Sequence, residues 1–206
     1  KIETIEQRVS YGVGRQLGDQ LRNNPFKDFD VSAVQAGLAD AIANAASQVS
    51  DEDLNEAFAV VSKKMQELEQ AEAKEKSAEG EAFLAENAKR EGVTSTESGL
   101  QYEVISQGDA EGESPSATDV VSVHYHGTLI DGTVFDSSVE RQQPAEFPLN
   151  AVISGWTEAL QLMKVGDKWK LYLPAEIAYG ARSPSPKIPA NSALIFEVEL
   201  LDVKKS

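Results

Sequence analysis

The 206-residue chain has no cysteine, only two histidines and few basic residues, and each shortage removes a class of function. Without cysteine there are no disulfides, no thiolate nucleophiles and no thiolate-held metals. Nineteen lysines and arginines against 34 acidic residues leave a net charge of −15. Such a surface repels phosphate backbones and anionic lipid, so no nucleic-acid partner is expected. No apolar run approaches the roughly 20 residues that span a bilayer, so no membrane span is expected either. What is present is 41% hydrophobic, ample for the core of one large domain or two small ones.

The first half reads as helix. Ile5, Val9, Val13, Leu17 and Leu21 form an unbroken i, i+4 stripe that ends at Asn24-Pro25. Gly12, Gly14 and Gly18 interrupt it at about 0.5–1 kcal/mol each relative to alanine. They suggest a surface that another backbone approaches closely, the alternative being a merely weak helix. Asp30 caps a second helix with Val31, Val34, Leu38 and Ile42 on one face. Ser50 and Asp53 make a start resembling a capping box, followed by the seam Leu54, Phe58, Val61, Met65 and Leu68. Beyond it, glutamate, lysine and alanine carry the helix to Arg90, which predicts a rod of about 60 Å with a solvated polar second part. Residues 1–50 thus form an all-α helical module and 51–91 a long linker helix. Their apolar stripes exceed what so small a unit buries alone, and a second copy is the expected partner.

Near Glu91 helical spacing gives way to alternation. Leu100, Tyr102 and Val104, then Val121, Val123 and Tyr125, then 169–173 and 193–203 read as strands; Asp131-Gly132 is a hairpin turn and 156–163 one short helix. Residues 92–206 therefore predict an α+β domain, a curved antiparallel sheet packed on one short helix. Tyr125, Phe135, Phe147, Trp156, Tyr179 and Phe196 fall in or beside these elements. Each alone reads as core; together they suit an apolar cavity between sheet and helix. His124 and His126 share the strand face opposite Tyr125, but no third ligand accompanies them, so neither metal nor cofactor is expected.

The run Val123-His124-Tyr125-His126-Gly127-Thr128-Leu129, continued from Asp131 to Ser138, resembles the FKBP-type peptidyl-prolyl cis/trans isomerases. Ser154-Gly155-Trp156, Ala178-Tyr179-Gly180 and the run from Phe196 to Leu201 resemble later parts of that family in order and spacing. Ser10-Tyr11-Gly12-Val13-Gly14 and the segment from Glu86 to Val93 are similar to its bacterial Mip-like subgroup. The resemblance implies an enzyme that accelerates X-Pro bond rotation, with N-terminal helices interlocking two chains and long third helices holding the catalytic domains apart. It implies Tyr125, Asp136 and Tyr179 as catalytic positions. The proline ring would sit on Trp156, walled by Phe135, Val152, Ile153 and Phe196, with Phe147 and Ile188 also binding substrate. The Ile153 N–H and Tyr179 hydroxyl would hold substrate carbonyls, and Arg141 would steady Asp136, a pair that also reads as a plain surface ion pair.

The implied partners are proline-containing unfolded or partly folded proteins, a second copy of the chain, and macrolide inhibitors in the pocket. Ala145, Pro184 and Lys187 depart from the common pattern and bear on substrate preference and macrolide affinity more than on catalysis. Two rival functions remain open at this level: a module that grips proline segments without turnover, and a scaffold whose helices hold unfolded chains. The chain opens on lysine rather than methionine, so a preceding stretch is expected to be cleaved or left out. A soluble bacterial protein is expected, cytoplasmic in preference to periplasmic.

Overall fold

Side-chain caps set where the N-terminal helices begin. Thr4 and Gln7 close a capping box ahead of α1 (Ile5–Arg22), and the Asp30 carboxylate accepts from the Ala33 N–H ahead of α2 (Val31–Ile42). The Ser50 hydroxyl accepts from the Asp53 N–H at the start of α3 (Asp51–Asn87). The computed structural model describes every residue, Lys1–Ser206, and divides inside α3 into the units Lys1–Glu69 and Gln70–Ser206. No residue of the first unit is buried. Its stripe of Ile5, Val9, Val13 and Leu17 is exposed, as is Phe58 on α3. A Cβ on Gly12, Gly14 or Gly18 would meet nothing within 4 Å, so this chain itself fills none of the three notches.

The second unit is organised by an open, antiparallel seven-stranded sheet. Its strands are β1 (Val93–Ser95), β2 (Gln101–Ser106), β3 (Val120–Leu129), β4 (Val134–Ser137), β5 (Ala145–Pro148), β6 (Lys168–Leu173) and β7 (Leu194–Lys204), in the order β1-β2-β6-β7-β3-β4. β5 pairs with the first part of β3 and β4 with the last part, so the edge of the sheet splits there. Alternation points Val121, Val123 and Tyr125 of β3 inward, with Phe196, Val198 and Leu200 of β7 and Trp169, Leu171 and Leu173 of β6 beside them. Helix α4 (Ser154–Leu162) buries Trp156, Ala159 and Leu160 on this face, an i, i+3, i+4 stripe. The expected strands and single helix are present. β1 and β5, three and four residues long, were not expected, because runs so short show no alternation.

One end of the opposite face of the sheet, at Gln101 and Tyr172, is covered as well, by the part of α3 expected to be solvated. Ala73, Ser77, Gly80, Leu84 and Asn87 turn inward, all half-buried or buried. A Cβ on Gly80 would lie 3.2 Å from that of Ala193, so the helix closely approaches the segment just before β7. Phe83 packs near Tyr172, with ring centroids 6.1 Å apart. Asn87 donates to Gln101 at 2.8 Å, Gln101 donates to the Leu84 carbonyl at 2.9 Å, and Arg90 donates to the Tyr172 hydroxyl at 3.0 Å. The boundary expected near Glu91 therefore falls inside the second compact unit. Hydrophobic periodicity is silent here because the contact is made largely by alanine, serine, glycine and asparagine.

This docking predicts that residues 92–206 expressed alone are less stable than residues 70–206. Phe83 and Leu84 are lost and Tyr172 is uncovered, a cost on the order of 3 kcal/mol. Urea unfolding of the two fragments measures it; equal midpoints and slopes would show that α3 contributes nothing to this unit.

Candidate functional site

Trp156 sits in the first turn of α4, 4% exposed, and three rings stand edge-on to it. The centroid distances are 5.2 Å to Tyr125, 5.7 Å to Phe147 and 5.2 Å to Phe196, with interplanar angles of 78°, 84° and 81°. Phe135 meets Phe196 the same way at 5.4 Å and 88°. Each such contact is worth about 0.5–1.5 kcal/mol beyond burial and fixes ring orientation. Gly127 on β3 permits it: a Cβ there would come within 2.6 Å of the Phe135 ring and 2.9 Å of the Phe196 ring.

The rings enclose a cavity of about 260 Å³ lined by Tyr125, Phe135, Asp136, Phe147, Ala151, Val152, Ile153, Trp156, Tyr179 and Phe196. That lies just below the roughly 300–1,000 Å³ of pockets for drug-sized ligands and suits one ring or side chain. Its walls are apolar, and polar groups stand at the rim. Ile153, extended just before α4, has an N–H that makes no hydrogen bond within the protein. Tyr179 is 38% exposed, and burial followed by the Asp136 charge pushes its phenol pKa up, so it stays a neutral donor.

Asp136, Tyr125 and Arg141 form a closed triad. The Tyr125 hydroxyl donates to one Asp136 oxygen at 2.5 Å, and Arg141 donates to the other oxygen and, at 3.0 Å, to the Tyr125 hydroxyl. Burial pushes the Asp136 carboxyl up, but the Tyr125 and Arg141 hydrogen bonds and the Arg141 charge together outweigh it and hold the group below its usual range. Burial, followed by the hydrogen bond to Asp136, pushes the Tyr125 phenol up. At neutral pH the triad is therefore a carboxylate, a phenol and a guanidinium.

Most of the residues expected at the site do line this cavity; two do not. Arg141 stands behind Tyr125 and Asp136, its guanidinium carbon 5.8 Å from the Tyr125 ring centroid. Ile188 is 5% exposed and lies in the hydrophobic core. Ala151, in a single 3-10 turn before Val152, lines the cavity without having been expected, since a lone alanine carries no sequence signal. His124 and His126 pair with the hydroxyls of Ser138 and Ser137 at 3.0 and 2.9 Å.

Comparison with known proteins bears on the same residues. Residues 111–201 match the family described as FKBP-type peptidyl-prolyl cis-trans isomerase, and residues 6–104 match the domain amino terminal to FKBP-type peptidyl-prolyl isomerase. The chain is 49% identical over 202 residues to the FKBP-type 22 kDa peptidyl-prolyl cis-trans isomerase of Escherichia coli, covering 98% of this chain and 97% of that one. It is 38% identical over 209 residues to outer membrane protein MIP of Legionella longbeachae, covering 100% and 88%. The crystal structure of FkpA from Escherichia coli aligns with 99% of each chain at a TM-score of 0.70 and 37% identity. No helix of this chain is long and apolar enough to cross a membrane.

The triad predicts the pH behaviour of Asp136. Because its folded-state pKa is depressed, the stability it contributes is present above its unfolded pKa and is lost as pH falls through the folded one. Replacing Arg141 by methionine removes two of the causes of that depression. Carbon-detected NMR titration of the Asp136 carboxyl should show its midpoint move upward in Arg141→Met; an unmoved midpoint would mean that Arg141 is not its counter-ion in solution.

Proposed function

The chain belongs to the FKBP-type peptidyl-prolyl cis-trans isomerases and is an enzyme of that activity, and we propose that the cavity above Trp156 takes the proline ring of its substrate. The observation that carries this reading is an indole floor and apolar walls with hydrogen-bond donors only at the rim.

Rotation about an X-Pro bond breaks no covalent bond. Its barrier is amide resonance, about 18–20 kcal/mol, crossed unaided in tens to hundreds of seconds. In the twisted state the nitrogen is pyramidal and the carbonyl has lost its charge separation. An apolar cavity therefore disfavours the planar imide more than the twisted one, and that difference lowers the barrier. The Tyr179 hydroxyl and Ile153 N–H hold carbonyls of the flanking peptide bonds while one bond turns. Asp136, ionised and with both oxygens engaged, has no proton to give. Its charge at the cavity edge repels a carbonyl oxygen that keeps its planar-state charge, which again favours the twisted form. Macrolide inhibitors would use the same floor, with less wall where Ala145 stands.

A second reading concerns the first unit, which buries no residue and exposes the α1 stripe and Phe58. A second copy covers this surface through the notched face of α1, and the paired helices hold unfolded clients while the cavities act on their X-Pro bonds. Linking weak sites in this way raises avidity without new contacts.

Three outcomes test these roles. Tyr179→Phe removes one hydrogen bond to substrate, worth about 1 kcal/mol, so kcat/KM on a short X-Pro peptide should fall about fivefold at unchanged Tm. Wild-type kcat/KM should stay level between about pH 5 and 8, since Asp136 remains ionised and both tyrosines neutral across that range. A steep change inside it would assign the chemistry to another group. Sedimentation should find two chains in the full-length protein at micromolar concentration and one in residues 70–206. A full-length monomer would remove both the dimer and the client-holding role.

A further inference from the structure

The loop between β6 and β7, residues 174–193, brings Tyr179 to the cavity rim, and both of its ends stand on α3. Pro174 and Ala175 at one end and Asn191 and Ala193 at the other face Ser77 and Gly80 across a cleft of only about 20 Å³. Gly80 eases the approach, since a Cβ there would lie 3.2 Å from the methyl of Ala193, tighter than ordinary contact.

Asn191 joins these parts. Its backbone lies in the left-handed region at φ 60°, and its N–H donates to the Gly180 carbonyl at 2.8 Å. Its side-chain amide donates to the Ala73 carbonyl of α3 at 3.4 Å. Gly180, also left-handed, donates to the Ala175 carbonyl at 2.8 Å. A chain of ties therefore runs from α3 through Asn191 to Gly180 and back to the other foot of the loop. Tyr179 immediately precedes Gly180. Its hydroxyl has no hydrogen bond within the protein, so its place at the rim is inherited from the backbone that Asn191 holds. Asparagine meets both demands, since it tolerates φ above zero and carries a donor long enough to reach the helix; glycine meets the first alone and alanine neither.

We propose that Asn191 is a positioning residue for Tyr179, and that through it α3, a helix outside the cavity, sets the geometry of the cavity's hydroxyl donor. This rests on the substrate-holding role of Tyr179 put forward above.

The test is a double-mutant cycle in the full-length protein, with Asn191→Gly, Tyr179→Phe and the pair. Glycine keeps the left-handed backbone and its bond to Gly180 and removes only the tie to Ala73. In Asn191→Gly, kcat/KM on a short X-Pro peptide should fall about three- to tenfold, the effect of one misplaced hydrogen bond, at an unchanged Tm. In the Tyr179→Phe background the same change should cost nothing further. Equal losses in both backgrounds, or no loss in either, would overturn the proposal. If Tyr179→Phe alone leaves the rate unchanged, the substrate-holding role itself falls and the positioning role with it. Should Asn191→Gly fail to fold, Asn191→Asp takes its place, since aspartate also tolerates the left-handed backbone but turns an oxygen toward the Ala73 carbonyl.

Discussion

A helix of nine residues cannot cover one whole face of a seven-stranded sheet, and the way the remaining apolar surface is held open decides the character of the second unit. A smaller cavity would pack better, because side chains that fill space gain dispersion contacts that an open space forgoes. Here the deeper half of the face is filled, with Leu160, Leu171, Val198 and Leu200 fully buried, while the upper half ends on the Trp156 indole. Aromatic edges brace that indole from three sides. The same arrangement leaves the Trp156 Nε1 buried without a partner in the protein, a cost of about 1–3 kcal/mol. Rigid walls around an open centre are less stable than a filled core and are what a ring-binding cavity requires.

Magnitudes separate what holds the site together from what gives it charge. Both Arg141 and Asp136 are about half exposed, and an ion pair in that setting is worth about 0–1 kcal/mol to the fold. Its consequence is orientation: with each Asp136 oxygen taken, the carboxylate has one position and one protonation state at the rim. The buried hydroxyl of Ser138, which accepts from the Tyr125 N–H at 2.8 Å, does more to fasten β3 to the segment that follows β4.

Helix α3 belongs to both units and is built differently in each. Its first turns carry Leu54, Phe58, Val61, Met65 and Leu68, an apolar seam with no buried member. Its last turns carry few apolar residues and are docked by hydrogen bonds and close approach. A unit with no buried residue has almost no hydrophobic term of its own.

Legibility followed the physical signal each element depends on. Alternation exposed β3, β6 and β7, the i, i+4 stripe placed α1, and capping residues placed α2 and α3, because these are contacts among near neighbours in the chain. The cavity was legible through aromatic side chains in register with a known family, with Trp156, Tyr125, Phe196 and Asp136 at its centre. Ile188 was expected at the cavity and Ala151 was not, because the path of a loop or a 3-10 turn, not residue type, decides which side chain faces the space. The sequence by itself determined that a helical region precedes an antiparallel sheet with one helix, and the helical and strand periods, all of which rest on local spacing and side-chain type. Only the tertiary structure decided that the polar end of α3 is docked on the sheet and tied to the Tyr179 loop. That contact joins residues 118 positions apart through a glycine, a methyl and an amide, and close approach between small groups leaves no periodic trace in a sequence.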